Sequence, residues 1–198
     1  MVKKSFRLTF MQDALGSAPG NPKIYEDYIA SKAPEGKTVT DEIEAIGEDG
    51  VRDKMMTVFP RNELGQPIFW DYQIKGFLKD ACSMMRQVEG TESSKIKNYK
   101  KVIDGLVFVY PRRIPIRGKL LDEPLQRSLR AQTAQGERIA LAMSEVVAEG
   151  SYIDIEIECM REKDFDWICE LLHYGCRRGL GQWRNAGFGK FEYKETTR

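Results

Sequence analysis

Histidine is nearly absent from this sequence, with one in 198 residues, and the four cysteines form no Cys-x-x-Cys pair, a spacing that argues against a zinc site. No apolar run approaches membrane-spanning length. Met1-Val-Lys-Lys leads into a strand-like segment, not the apolar block of a signal peptide. A Walker loop is missing too, because Gly189-Lys190 is followed by Phe191 where Ser or Thr is needed. The dinucleotide fingerprint runs strand, glycines, helix, whereas the glycines here run from helix to strand. Net charge is scarce at +1. The expectation is a cytoplasmic protein with free, mostly buried thiols and no metal or cofactor.

What the chain does have is the stretch Gly179-Leu-Gly-Gln-Trp-Arg-Asn-Ala-Gly-Phe-Gly-Lys-Phe191. Its glycine pairs, Gly179/Gly181 and Gly187/Gly189, permit backbone angles closed to other residues, and successive free amides in such a loop make an anion-binding concavity. From Leu171 through Phe191 there is no Asp or Glu, while Arg177, Arg178, Arg184 and Lys190 all fall inside. Phosphate is the natural partner, and a long flexible polyanion suits the loop better than a nucleotide. The alternative is a glycine-rich turn that only packs. Charge is uneven elsewhere as well. Glu26 to Asp53 is acidic, whereas Lys95–Lys101, Arg112–Lys119 and Arg177–Lys190 are basic, a distribution that marks partner surfaces.

The periodicities alternate between strand and helix. Phe6, Leu8 and Phe10 alternate with Arg7 and Thr9 in a half-buried strand. Helices fit Lys23–Lys32 and the acidic Thr38–Gly50. Met55–Phe59 and Gln66–Trp70 suggest a hairpin or an irregular crossing. From Tyr72 the period becomes helical, with Ile74, Phe77, Leu78, Ala81, Met85 and Val88 on one face and Lys75, Lys79 and Arg86 on another. Leu106–Tyr110 is a strand, Leu120–Gln135 an irregular excursion, and Ile139–Met143 a central strand apolar on both faces. Ile153, Ile155, Ile157 and Cys159 mark a further strand. Asp164 caps a helix whose inner face is Phe165, Ile168, Cys169, Leu172 and Cys176. The strand from Phe191 closes the sheet. The fold class is α+β, with helices packed on an antiparallel sheet, of the ferredoxin-like or RNA-recognition type.

Three of these features, in this order, resemble the RAMP superfamily of CRISPR-associated proteins. Ile74-Lys-Gly-Phe-Leu-Lys79 is similar to the family's lysine-glycine helix start, although Trp70-Asp-Tyr-Gln73 stands where the family usually has a Pro-Gly-Ser turn. Ser144-Glu-Val-Val-Ala-Glu-Gly-Ser-Tyr-Ile-Asp-Ile155 resembles its strand, turn-glycine, strand unit before the last helix. The Gly179–Phe191 loop is similar in spacing and position to its carboxyl-terminal glycine signature, and is the most specific of the three. The resemblance covers most of the chain from Ser5 onward. It implies one ferredoxin-like domain, residues 1–198, with insertions at about 33–57 and 118–136, most like the backbone-subunit branch that polymerises along guide RNA. A stand-alone or phage-encoded relative fits the same residues.

Lysines and arginines bind nucleic acid by neutralising phosphates, contacts that position a strand without reading its bases. Lys75, Lys79, Arg112, Arg113, Arg177, Arg178, Arg184 and Lys190 are the candidates, with Gly179, Gly181, Gly187 and Gly189 shaping the loop and Trp183 placed to stack on a base. For catalysis the sequence offers only His173 as a general base and Asp13 in the loop after the first strand. The reading is a non-catalytic protein that binds single-stranded RNA, with like subunits or CRISPR-complex subunits as partners and no membrane. Two alternatives stay open. One is a metal-independent guide-RNA-processing endoribonuclease using His173. The other is a phage or mobile-element protein that mimics a RAMP subunit and docks on a defence complex.

Overall fold

Alternation carries the centre of the molecule. In β1 (Val2–Phe10) the side chains of Phe6, Leu8 and Phe10 are buried while Arg7 between them is exposed. Successive strand residues point to opposite faces, so one face of the sheet is committed to the core and the other to water. A computed structural model describes residues 1–20, 56–133 and 136–196, and of residues 129–141 only the backbone. After β1 the chain forms β2 (Ala14–Leu15), β3 (Ala18–Pro19), β4 (Met56–Val58), β5 (Ile68–Trp70), α1 (Asp71–Met85), α2 (Tyr99–Leu106), β6 (Val107–Tyr110) and β7 (Arg113–Arg117). It continues with β8 (Leu125–Thr133), β9 (Gly136–Ser144), β10 (Val146–Val147), β11 (Tyr152–Cys159), α3 (Asp164–Arg178) and β12 (Phe191–Thr196).

The main sheet runs β12-β1-β11-β7-β5, with β6 also paired to β11. Taken as β1-α1-β6 and β11-α3-β12, the chain makes two β-α-β halves, and the spatial order β12-β1-β11-β6 is that of the ferredoxin-like fold. β1 pairs antiparallel with β11 and with β12. On the inner face, Ile153, Ile155, Ile157 and Cys159 join the β1 side chains under α1 and α3. α1 buries Ile74, Phe77, Leu78, Ala81 and Cys82, and α3 buries Phe165, Ile168, Leu171 and Leu172. Each such side chain contributes about 1.5–3 kcal/mol by leaving water. Phe191 of β12 meets Phe77 edge-on, 5.1 Å between centroids. Gly175 makes room for it, because a methyl group there would overlap the Phe191 ring. The burial that orders this core also pushes the Cys82 and Cys159 thiols up, to about 11 and about 12.

The outer face is a lattice of ion pairs set by register. Arg7 lies opposite Asp154 and grips it with two hydrogen bonds, 2.7 and 3.1 Å. Lys3 sits between Glu156 (3.2 Å) and Glu158 (3.7 Å).

A second sheet, β3-β4-β9-β8, corrects two sequence expectations. Leu120–Gln135 is not an irregular excursion, since β8 pairs with β9 from Leu125↔Ser144 to Thr133↔Gly136. Ile139–Met143 belongs to β9, an interior strand as expected, between β4 and β8 of this sheet. Met55–Phe59 and Gln66–Trp70 are not a hairpin. β4 runs parallel to β9, and β5 pairs with β7. Glu145 ties the pieces together. Its N–H donates to Thr57 O (2.8 Å), its carbonyl accepts from Gly16 N (2.9 Å), and its carboxylate accepts from Phe59 N (2.8 Å) and from Arg61. Two further differences are local. The basic run before Leu106 contains α2. Asp164 stands in the first turn of α3, one residue past the cap position, where it accepts from Trp167 Nε1 and pairs with Arg161. The expected helices at Lys23–Lys32 and Thr38–Gly50 lie outside the described residues.

Candidate nucleic-acid interface

The corner at the end of α3 is built by the glycine loop. Gly179, Gly181, Gly187 and Gly189 all have positive φ, from 69° to 97°. A side chain at Gly189 would run into the Leu180 carbonyl, so the two limbs of the loop can cross only with glycine there. The crossing is closed by hydrogen bonds from Leu180 N to Gly189 O (2.8 Å), Gly189 N to Asp13 O (2.7 Å), Gly187 N to Arg184 O (3.0 Å) and Gly179 N to Gly175 O (3.1 Å). The expectation of bare amides around an anion is therefore corrected at Gly179, Gly187 and Gly189. A loop that must turn a helix back onto a sheet edge satisfies these donors internally.

Side chains, not amides, carry the charge. Arg178 Nε donates to Asp80 Oδ2 (2.7 Å), and Arg184 Nη1 donates to the same oxygen (2.8 Å). The Arg178 hydrogen bond, with the Arg184 charge beside it, holds the Asp80 carboxyl below the usual carboxylate range. A further nitrogen of Arg178 donates to Asn185 Oδ1 (2.7 Å). The Arg127 guanidinium, from β8, lies over the Trp183 ring at 4.3 Å, and Phe188 meets that ring edge-on. Gln182 Oε1 accepts from Thr57 and Ser144 hydroxyls at 3.3 and 3.4 Å, fastening the loop to the second sheet. Together Arg127, Arg178, Gly181, Trp183, Arg184, Asn185 and Ala186 line an open cavity of about 460 Å³. Arg178 and Arg184 share the one Asp80 carboxylate, and Arg127 adds a third guanidinium to the cavity lining, a surplus of positive charge.

The other sequence candidates fall elsewhere. Lys79 pairs with Asp104 at 2.5 Å and Lys75 donates to the Asp104 carbonyl at 3.3 Å, both toward α2. Arg112 and Arg113 flank Trp70, each 5.8 Å from its ring. Arg177 is exposed on α3, and Lys190 is half-buried with its carbonyl on Met11 N. His173 is exposed, and the neighbouring Glu170 carboxylate is taken by Ser93. Asp13 accepts from Glu149 N with its carboxylate (2.9 Å). Neither His173 nor Asp13 lines the cavity. Asp80 and Arg127 escaped sequence reasoning. Each comes from an element remote in the chain, and Arg127 sat in a stretch without recognisable alternation.

No family model matches the chain, and no curated protein matches it in sequence. Among the solved structures that share its fold, two carry the comparison. A chain of the Type III-B Cmr-beta bound to cognate target RNA aligns over 97% of this chain with 16% identity and a TM-score of 0.51. A chain of a Type IV-B CRISPR complex aligns over 99% of it with 11% identity and a TM-score of 0.52. The match takes in 91% of the Type IV-B chain but only 59% of the Cmr-beta chain. At these identities the likeness is one of fold. Among the described residues no helix is long and apolar enough to cross a membrane.

Proposed function

We propose that this chain is a RAMP-type, CRISPR-associated RNA-binding protein, a single domain with insertions. It holds single-stranded guide RNA by its phosphates as one subunit of a larger cytoplasmic assembly. The observation that carries the reading is the convergence of Arg127, Arg178 and Arg184 on the open cavity beside Trp183. Two guanidinium groups that already share one carboxylate oxygen are spaced to share a phosphate oxygen, and Trp183 adds a surface for a base. The fold likeness supports the same reading, since one neighbour is described as bound to cognate target RNA and the other as a CRISPR complex. On this reading the chain is a holder and not a nuclease, in keeping with neither Asp13 nor His173 lining the cavity.

Fluorescence anisotropy with a labelled mixed-sequence RNA, titrated across salt, tests this. Binding is expected to weaken steeply with salt, and loss of Arg178 and Arg184 is expected to flatten the log–log slope by about 0.7, the value for the one single-strand phosphate that both hold. Absence of binding at low salt would overturn the reading. RNA incubated with the protein in EDTA should stay intact, with wild type and His173→Ala alike.

A further inference from the structure

The segment Trp70-Asp-Tyr-Gln73 builds a second aromatic and cationic surface, outside the cavity. The Trp70 and Tyr72 rings stack, with centroids 6.2 Å apart and planes 12° apart. Arg112 and Arg113 place their guanidinium groups 5.8 Å from the Trp70 ring. The arrangement is locked from behind. Trp70 N–H donates to Gln73 Oε1 (2.8 Å), the Gln73 amide donates to Ser17 Oγ (2.9 Å), and Asp71 N–H donates to the Arg112 carbonyl (3.0 Å). The pairing of β5 with β7 sets Trp70 opposite Arg113. Yet Tyr72 is 59% exposed and the Arg112 side chain 76% exposed. A fixed ring pair presented to solvent has paid its ordering cost before any ligand arrives.

The chemistry on offer is that of a nucleobase: a planar π system to extend the ring stack, with a phosphate beside it for the arginines. The ion pairs already there, Arg112 with Asp71 (3.9 Å) and Arg113 with Glu63 (2.8 Å), are surface pairs of little strength that a phosphate can exchange. Position along α1 connects the two surfaces. Tyr72, Gly76, Lys79 and Ser83 fall on one stripe of the helix, which is open at Gly76, where a side chain would meet nothing within 4 Å, while Lys79 is paired with Asp104. Asp80, gripped by Arg178 and Arg184, is the next residue after Lys79, about 12 Å from Tyr72 along the axis at about 1.5 Å per residue.

We infer that the Trp70–Tyr72 pair stacks a nucleobase of the strand whose phosphates are held at the end of α3, giving the chain a base-contacting station separate from its phosphate-holding corner. The inference rests on the RNA-binding reading above. Its test compares anisotropy titrations of oligouridylate and of an abasic ribose-phosphate strand of equal length. The proteins are wild type, Tyr72→Leu, Tyr72→Phe and the Arg178→Ala/Arg184→Ala double variant. Tyr72→Leu should weaken oligouridylate binding on the order of tenfold. Tyr72→Phe should match wild type, and neither should change binding of the abasic strand. The double variant should weaken both strands. Equal affinity of Tyr72→Leu and Tyr72→Phe for oligouridylate, or an equal loss on the abasic strand, overturns the stacking station and leaves the phosphate-holding corner standing. Failure of the wild-type protein to bind either strand at low salt overturns both.

Discussion

The outer face of the main sheet and the corner at the end of α3 are made of the same parts, cations set against aromatic rings, and they differ in how the charge is matched. On the sheet, Arg7 lies 4.0 Å over Tyr152 and Lys3 lies 5.0 Å over Tyr110, but strand register places Asp154, Glu156 and Glu158 opposite them. At the corner, Arg178 and Arg184 share Asp80 while Arg127, from β8, lies over Trp183, and all three line one cavity. An arginine over an aromatic ring is thus no sign of a polyanion site by itself. What separates the two surfaces is surplus.

The harshest way to break the contrast is Gly189→Ala. It forces a side chain against the Leu180 carbonyl at a φ of 69° and should cost about 3 kcal/mol in urea unfolding, taking RNA affinity with it while the sheet ion pairs persist. The Arg178→Ala/Arg184→Ala double variant should lose about ten- to a hundredfold in RNA affinity at moderate salt, as expected for the loss of the phosphate that both arginines hold. Asp80→Asn sharpens the comparison by moving two quantities in opposite directions. RNA affinity should rise a few-fold, because the anion competing for both guanidinium groups is gone. Stability should fall by less than about 1 kcal/mol at pH 7, the pair being partly solvated. The folded pKa of Asp80 lies below its unfolded value, so its contribution is full above about pH 4 and is lost as pH falls through the folded value. Chemical denaturation should separate the two proteins at pH 7 and show them converging near pH 2. The smallest effect belongs to Arg7→Ala, which should leave RNA affinity within about twofold of wild type.

Elements whose pattern is local were legible in the sequence. The alternation of Phe6, Leu8 and Phe10, the run Ile153 to Cys159, and most of the helical faces of α1 and α3 hold in the structure, because each buries against one continuous core; Val88, past the end of α1, is exposed, and Cys176 of α3 is only half-buried. Partner choice was not legible. Thr57 pairs with Ser144, far along the chain, and nothing in Met55–Phe59 itself distinguishes that parallel partner from the nearer Gln66–Trp70. The glycine loop announced its backbone angles and its cations, but not that Gly189 N–H would be taken by Asp13. The absence of acids between Leu171 and Phe191 was real, and the counter-charge arrived from Asp80 on another helix.

Glu145 has a consequence for the β8–β9 ribbon. Arg127 faces Ala142, close to the end where Glu145 rivets β4 to the segment around Gly16, and far from the Thr133↔Gly136 pair at the other end. The guanidinium over Trp183 is thereby mounted at the anchored base of a two-stranded arm. Lengthening or trimming that arm should leave the grip on the indole untouched, whereas neutralising the rivet should unseat it.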